Sequence, residues 1–471
     1  MSLLNLPIEL LLDISEHLEC ERDILAFMRT NRYLYCELNS LLYKYNLRND
    51  GGSGLLRATS YGHEAAVKKA LSADVESQGR YYLRALVKAS YDDNQSIVRL
   101  LLANGADANE QGGVFGNALQ AASWMGRRAT VQLLLGNGAQ VNRQGGHFGN
   151  ALQAAVWGCH IEVAQLLLAD GADVNADGGE YGNALQAAAW GGHCAIVELL
   201  LAHHAHINAE GGMYGTALQA ASHAGHQATV RLLLSRDANV NAQGGHYGNA
   251  LYRASEEGHK VIAELLLKAG ANINAQGGLH GSPLNAASAR GHVAIASLLL
   301  AHGAKADACG GGNDNALYKA SERGHFVIVE MLLKTEAEVN ARGGLHGTPL
   351  KAASAGGHTA IAKLLLMSGA NANEREGVYS SALEAALAGG HRGIVHLLLE
   401  AGPDLLGRHQ TDCYILREPT LGTLRMTSRC MQRLASAVFR TVRVPSLFDF
   451  LVGNMTQSRQ DQCRDQPIAA Q

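Results

Sequence analysis

The sequence is dominated by a segment that recurs every 33 residues. A run of three Leu begins at Leu100, and the same position returns nine more times without an insertion or a deletion, at Leu133, Leu166, Leu199, Leu232, Leu265, Leu298, Met331, Leu364 and Leu397. A fixed period of this length is typical of stacked-repeat proteins, in which one unit cannot bury its apolar face alone. The period favours a binding function over a catalytic one.

One repeat, residues 150–182, shows how each unit is expected to fold. Small residues at 151–155 predict a short first helix that permits close stacking, and Val163 with the Leu run marks the inner stripe of a second helix. Gly171 fits the left-handed position that ends such a helix. The Asn-, Asp- and Gly-rich stretch 173–182 predicts a hairpin-like connection to the next unit.

The start of the first helix carries a recognisable capping pattern. Asn150 is a good N-cap, and Gln153 can reach back to the cap backbone in a capping box. Where Asn285 or Lys351 replaces the Gln, Pro occupies the first helical position, as Pro283 and Pro349. The strict form of the box is predicted for Thr216 with Gln219 and for Ser381 with Glu384.

These residues resemble the ankyrin repeat. The family's opening motif survives as Thr348-Pro349-Leu350, its helix-ending motif is intact from Gly171 to Asn175, and its Gly-His turn recurs from Gly192-His193 to Gly390-His391. The match spans residues 84–402, preceded by a degenerate first repeat and connection at 49–83. The resemblance implies an all-α ankyrin solenoid of about ten to eleven helix-turn-helix units with hairpin-like loops. It also implies protein–protein interaction.

Recognition is expected at a position that changes midway along the repeats. Two residues before the turn Gly, the first half has Trp124, Trp157, Trp190 and His223, whereas the second half has Glu256, Ala289, Glu322 and Ala355. In the ankyrin family this position faces the concave groove, so the three indoles and His223 are predicted to bind the target, at the 8–10 Å spacing of packed helices. The alternative is that the rings only pack on neighbouring repeats. A structural role is favoured for the ring at the loop tip, which recurs as Phe115, Phe148, Tyr181, Tyr214 and Tyr247.

Residues 1–48 have no 33-residue phase and form a separate segment. Their Leu6-Pro7-Ile8-Glu9-Leu10 opening, followed by Ile14 and Leu18, resembles an F-box. The resemblance implies docking on a Skp-type adaptor of a cullin–RING ligase, with an apolar contact from Leu6, Pro7, Leu10, Ile14 and Leu18. The end of the motif departs from the family, since residues 31–34 replace the usual Arg-Trp pair. The alternative is a helical cap on the first repeat.

The period also ends at the C-terminal side. Residues 403–452 contain an amphipathic stripe through Met431, Leu434, Val438 and Phe439 with Arg around it. A helix that covers the last repeat is expected there, and a membrane surface or an acidic partner is the alternative. Residues 453–471 have the composition of a disordered tail.

The remaining composition excludes several function classes. The 39 basic and 42 acidic residues nearly balance, which gives no case for nucleic-acid binding. No apolar run approaches the length of a transmembrane helix. The eight Cys form no CxxC pair, so a cytoplasmic or nuclear protein is expected. His203, His204 and His206 cluster locally, but neither a metal site, a cofactor nor an enzyme activity is predicted.

The sequence thus predicts a substrate receptor of an SCF-type ubiquitin ligase. The F-box-like region would dock the adaptor and the ankyrin groove would bind an unknown target protein. The chain is expected to be monomeric apart from this complex. The competing prediction is an ankyrin scaffold without a ligase role.

Overall fold

The computed structural model describes residues 53–73, 82–244, 248–310, 314–375 and 377–401. The described residues form eleven pairs of short antiparallel helices and no strand longer than an isolated bridge. The helices are α1 Ser53–Ser60, α2 Glu64–Ala73, α3 Tyr82–Tyr91, α4 Gln95–Ala103, α5 Ala118–Trp124, α6 Arg128–Gly136, α7 Ala151–Trp157, α8 Ile161–Ala169, α9 Ala184–Trp190, α10 Cys194–Ala202, α11 Ala217–Ala224, α12 Gln227–Ser235, α13 Ala250–Glu257, α14 Lys260–Lys268, α15 Pro283–Arg290, α16 Val293–Ala301, α17 Ala316–Arg323, α18 Phe326–Lys334, α19 Pro349–Gly356, α20 Thr359–Met367, α21 Ala382–Ala388 and α22 Arg392–Glu400.

The helices pack in two layers within each of two units, which divide at residues 246 and 247. In the first unit the first helices of successive repeats pack side by side from α1 to α11, and the second helices do the same from α2 to α12. The second unit repeats this arrangement from α13 to α21 and from α14 to α22. The predicted ankyrin solenoid is confirmed. The helix pair α1 and α2 lies within residues 49–83, where the sequence predicts a degenerate first repeat.

The core consists of small residues in the first layer and large aliphatic residues in the second. In α7 every residue from Ala151 to Val156 is buried, which the Ala-rich sequence makes possible because the backbones approach closely. In α8 the buried positions are Val163, Ala164, Leu167 and Leu168, spaced at the helical period. Each unit therefore buries its apolar stripe against its neighbours, as the 33-residue period requires.

The predicted helix starts are confirmed with one exception. Complete capping boxes form at Asn117, Asn150, Asn183 and Thr216, each with the Gln three residues later. Pro283 and Pro349 occupy the first helical positions. Only one of the two hydrogen bonds of the capping box predicted for Ser381 and Glu384 forms. The Ser381 hydroxyl accepts the Glu384 N–H, but the Glu384 carboxylate accepts the N–H of Ser380 instead of that of Ser381.

The loops between repeats hold one another through hydrogen bonds. A carboxamide such as that of Asn142 donates to the carbonyl of Gly171 at 3.0 Å and accepts the N–H of Asp173 at 2.8 Å.

The turn His residues also form hydrogen bonds between repeats. His160 Nε2 donates to the Trp124 carbonyl at 2.9 Å and so links two successive repeats. Gly146 has φ +65°, and a Cβ there would lie 2.5–2.6 Å from the preceding loop's backbone.

Two predicted segments lie outside the described residues. They are the F-box-like region at 1–48, with Leu6, Pro7, Leu10, Ile14 and Leu18, and the C-terminal residues 403–471 with their amphipathic stripe. No helix among the described residues is long and apolar enough to cross a membrane.

Candidate functional site

The first unit presents a row of aromatic side chains, which we call the aromatic ladder. Trp124, Trp157 and Trp190 are the last residues of α5, α7 and α9, and His223 lies in the last turn of α11. Because the preceding residues of each helix are buried, these four side chains stand at the rim of the first layer, where each is half-buried. The ladder is completed by Tyr91 and by the loop-tip rings Phe115, Phe148, Tyr181 and Tyr214, with His147 between two of them.

At its N-terminal end the ladder joins two successive repeats. The centroid of Tyr91 lies 5.4 Å from that of Phe115 and 5.9 Å from that of Trp124. Trp124 in turn stacks on Phe148 with the ring centroids 5.8 Å apart and the planes 24° from parallel. Trp124 thus lies between the loop-tip rings Phe115 and Phe148.

The same pattern continues along the first unit. Trp157 stacks on Tyr181 with the centroids 4.2 Å apart, and Tyr181 stacks on Tyr214 at 6.1 Å. Trp190 lies 6.0 Å from Tyr214, which contacts His223 at 5.3 Å. The rings therefore form one continuous surface, with His147 linking Phe148 and Tyr181 through edge contacts.

The geometry corrects one expectation about these rings. The indoles of Trp157 and Trp190 lie 4.7 Å apart, well inside the 8–10 Å expected from helix spacing, because the side chains lean together and stack. The loop-tip rings Phe148 and Tyr181 stack directly on the indoles, and their structural role stays a prediction. The fifth ring of that set, Tyr247, lies outside the described residues.

Burial makes the ladder weakly polar. Burial is the main cause that raises the pKa of Tyr181 to about 12, with smaller contributions from Glu180 and Tyr214, so the phenol stays neutral. His147 and Glu180 form an exposed pair at 3.2 Å on the loop tips. The indole N–H of Trp190 is buried and has no hydrogen-bond partner among the described residues. The surface offers mainly ring carbon, as target-binding patches commonly do.

The second unit has ion pairs at the equivalent position. Glu256 is 6% exposed and contacts Arg253 at 3.5 Å and Arg290 at 3.3 Å. Glu322 likewise lies 3.7 Å from Lys319 and 3.8 Å from Arg323. The change from Trp to Glu along the sequence is therefore a change from stacked rings to paired charges.

A cavity of about 700 Å³ adjoins the N-terminal end of the ladder. It shares Tyr91 and Phe115 with the ladder and is further lined by Leu83, Arg84 and Val87 of α3. This cavity was not predicted from the sequence. The sequence feature that could have revealed the cavity is Val87, which stands at the repeat position that Gln120, Gln153 and Gln186 occupy in the following repeats.

Comparison with protein families agrees with this architecture. The family model for three copies of the ankyrin repeat matches residues 55–145, 119–211, 185–277 and 278–343, and the single-repeat model matches 347–376. These matches cover more than half of the chain. The chain belongs to the ankyrin-repeat family. No curated protein matches it.

The ankyrin repeats make this chain a protein–protein interaction module. Ankyrin-repeat proteins are typically scaffolds for binding. Among the residues that the structure describes, no group of three or more His, Cys, Asp or Glu side chains has the geometry to hold a metal ion, and this includes His203, His204 and His206. His204 adopts φ +66° at the position where most repeats have Gly and where Asp237 and Glu336 adopt φ +62° and +63°.

Proposed function

We propose that this ankyrin-repeat protein is a substrate receptor of a cullin–RING, SCF-type ubiquitin ligase. Residues 1–48 dock a Skp-type adaptor through Leu6, Pro7, Leu10, Ile14 and Leu18. The aromatic ladder binds the target through Trp124, Trp157, Trp190 and His223. The chain then supplies proximity, while the partner enzymes carry out the chemistry. We expect the receptor in the cytoplasm or nucleus, monomeric apart from its complex.

The observation that supports target binding is the aromatic ladder itself. Stacked aromatic rings at a half-buried rim are favoured anchors of protein interfaces, because they bury a large area at a small cost in side-chain entropy. If the rings served only to hold the repeats together, the second unit would need them equally. It stacks its repeats with Glu256, Ala289, Glu322 and Ala355 at that position.

Adaptor docking is supported by the sequence motif at residues 6–18. The order of an F-box-like segment followed by repeats is that of known substrate receptors, which the resemblance brings to this chain. The family models detect no F-box domain, and this favours the second candidate function. That candidate is an ankyrin scaffold without a ligase role, in which residues 1–48 cap the first repeat.

Copurification with the adaptor separates these two functions. The full-length chain is coexpressed with a Skp-type adaptor and purified through a tag on the chain. The proposal expects a stoichiometric complex that Leu10→Asp abolishes. Leu345→Asp, at a loop tip that is 65% exposed in the second unit, serves as the control and retains the adaptor. A chain that captures no adaptor, or captures it equally with Asp at position 10, is a scaffold.

Target binding is tested with substitutions that keep the ladder stacked. Trp124→Phe, Trp157→Phe and Trp190→Phe together retain a ring at each position but remove the outer edge of each indole. Proximity labelling with the full-length chain identifies neighbours that the triple variant loses at an unchanged melting temperature. If the triple variant labels the same neighbours as the wild type, the ladder is a packing element and does not bind the target.

A further inference from the structure

The helix α3 departs from the repeat pattern where it meets the cavity. It begins at Tyr82, three residues earlier than α5 in the register of the repeats, since the first residue of α5 is Ala118. Leu83 and Arg84 therefore occupy helical positions that correspond to Gly116 and the N-cap Asn117 one repeat later. This extra turn places one apolar and one cationic side chain beside the loop at 112–115.

The cavity is open because Val87 cannot form the hydrogen bonds that Gln forms at this position in later repeats. In the next repeat, Gln120 occupies this position, and its Nε2 donates to the carbonyls of Gly145 and Gly149 at 3.1 and 2.9 Å. This side chain fills the space between its helix and the following loop. Val87 is shorter and has no amide to donate, so the space beside the corresponding loop stays unfilled.

The lining is apolar and continuous with the aromatic ladder. Leu56, Leu83 and Val87 are half-buried, and Tyr91 and Phe115 form the wall shared with the ladder. Val114 stands at the loop tip with 72% of its surface exposed. A cavity walled by aliphatic and aromatic groups fits a large apolar side chain rather than a polar one.

The charged groups in the lining are both cationic. Arg84 is exposed and has no ion-pair partner among the described residues. Lys88 is already paired with Asp92 at 2.8 Å and lies 5.3 Å from the centroid of the Tyr91 ring. No Asp or Glu lines the cavity. Arg84 therefore supplies an unmatched positive charge at its mouth, which complements a carboxylate.

From this charge and shape we infer that the cavity holds an acidic, apolar segment of the target protein. A large aliphatic or aromatic side chain of that segment lies between Val87, Tyr91 and Phe115, and a neighbouring Asp or Glu pairs with Arg84. The inference rests on the proposed target-binding role of the ladder. It adds a chemical class to the target, namely a segment in which acidic residues flank a bulky apolar residue.

Fluorescence anisotropy with defined peptides tests the inference directly. The probe is a short fluorescein-labelled peptide built of Glu-Phe and Glu-Leu steps, titrated with the full-length chain. One control peptide carries Lys in place of every Glu, and another carries Ser in place of every Phe and Leu. We expect the acidic, apolar probe to bind at least about tenfold more tightly than either control peptide.

The chain offers matched variants for both halves of the site. Val114→Asp is expected to weaken probe binding by about tenfold, whereas Leu279→Asp, at the equivalent loop tip of the second unit and 74% exposed, leaves it unchanged. Arg84→Glu is expected to weaken binding by about fivefold, and Arg231→Glu, exposed on α12, is its control. Added salt should reduce the difference in probe affinity between the wild type and the Arg84→Gln variant, because screening weakens exposed ion pairs.

Either of two results overturns the inference. One is equal binding of the acidic and the Lys-containing peptides. The other is a failure of the probe to bind the wild-type chain, which is also the outcome if residues 1–52 cover the cavity. Neither result depends on the adaptor or on target labelling through the indoles. Loss of probe binding with retained labelling therefore removes the cavity from the site and leaves the proposed function in place.

Discussion

The indole of Trp157 stacks on that of Trp190, with the ring centroids 4.7 Å apart and the ring planes 27° from parallel. The indole of Trp157 also stacks on the ring of Tyr181, with the two ring centroids 4.2 Å apart. Ring faces that contact each other are not free for a partner, so under the proposed function a target would meet the exposed ring edges. Edges of aromatic rings carry partial positive charge, which suits carbonyl oxygens and carboxylates.

This stack predicts a difference between two substitutions at Trp190. Trp190→Phe keeps a ring against Trp157 and removes an indole N–H that is buried without a partner among the described residues. It should leave the free energy of unfolding nearly unchanged. Trp190→Ala loses the ring contacts and should cost about 2 kcal/mol. Urea unfolding measures both variants, and equal costs would show that the stack itself adds nothing to stability.

A second prediction concerns the carboxamide of Gln153, which is 3% exposed. Its Oε1 accepts the N–H of Asn150 at 2.9 Å, while its Nε2 donates to the carbonyls of Ala176 and Gly182 at 3.1 and 2.9 Å. Gln153→Ala leaves these buried groups unsatisfied and should cost about 3 kcal/mol. Thermal unfolding monitored by circular dichroism measures this loss of stability. The control is Gln165→Ala, a substitution at an exposed position on α8. A similar small cost at both positions would contradict the linking role of Gln153.

The capping-box hydrogen bonds between Asn150 and Gln153 were predictable, because they join residues that are close in the sequence. Asn150 and Gln153 are three residues apart, and a helix places their side chains and backbone groups within bonding distance whatever surrounds them. The further bonds of Gln153 to the next loop depend on contacts between residues more than twenty positions apart, which the sequence pattern alone did not indicate. Ser381 shows the limit of the local argument, since its loop shifted the reciprocal bond to Ser380.

The candidate site was predicted in part for the same reason. The period placed Trp124, Trp157 and Trp190 at one position of successive repeats, and the structure has them along one surface. Their side-chain torsions were not contained in the period, so the close stack and the inclusion of the loop-tip rings were missed. The cavity required a comparison of Val87 with Gln120, 33 residues later, and the sequence pattern does not show that a change of this side chain leaves space beside the loop.

A third prediction follows from the left-handed residue that ends each second helix. His204 has φ +66° and Gly171, one repeat earlier, has φ +86°. A side chain in this conformation costs about 1–2 kcal/mol, which the greater unfolded-state freedom of Gly partly offsets. His204→Gly should therefore stabilise the protein by about 0.5 kcal/mol, and Gly171→His should destabilise it by a similar amount. A Cβ at Gly171 meets no atom within 4 Å, so sterics do not confound the pair. Opposite signs in denaturant unfolding support the argument, and equal signs refute it.

The last prediction is a loss of stability in mildly acidic solution. Burial lowers the pKa of His193, and although the hydrogen bond to the Trp157 backbone acts in the opposite direction, it does so less strongly. Burial likewise lowers the pKa of His280, with Glu256 opposing it. Both imidazoles are thus neutral in the folded protein under conditions where they become protonated in the unfolded chain.

Because the unfolded state binds more protons, the free energy of unfolding should fall as the pH decreases through the ordinary His pKa of about 6.5. Urea titrations at a pH one unit above and one unit below this value measure the effect. His193→Gln retains a side-chain donor for the Trp157 carbonyl but does not titrate, so this variant should lose less stability than the wild type over the same interval. Burial raises the pKa of Glu110, which acts in the opposite direction because the folded state holds that proton more tightly than the unfolded chain does. An identical pH dependence in the wild type and the His193→Gln variant would show that His193 does not contribute to the acid sensitivity of the fold.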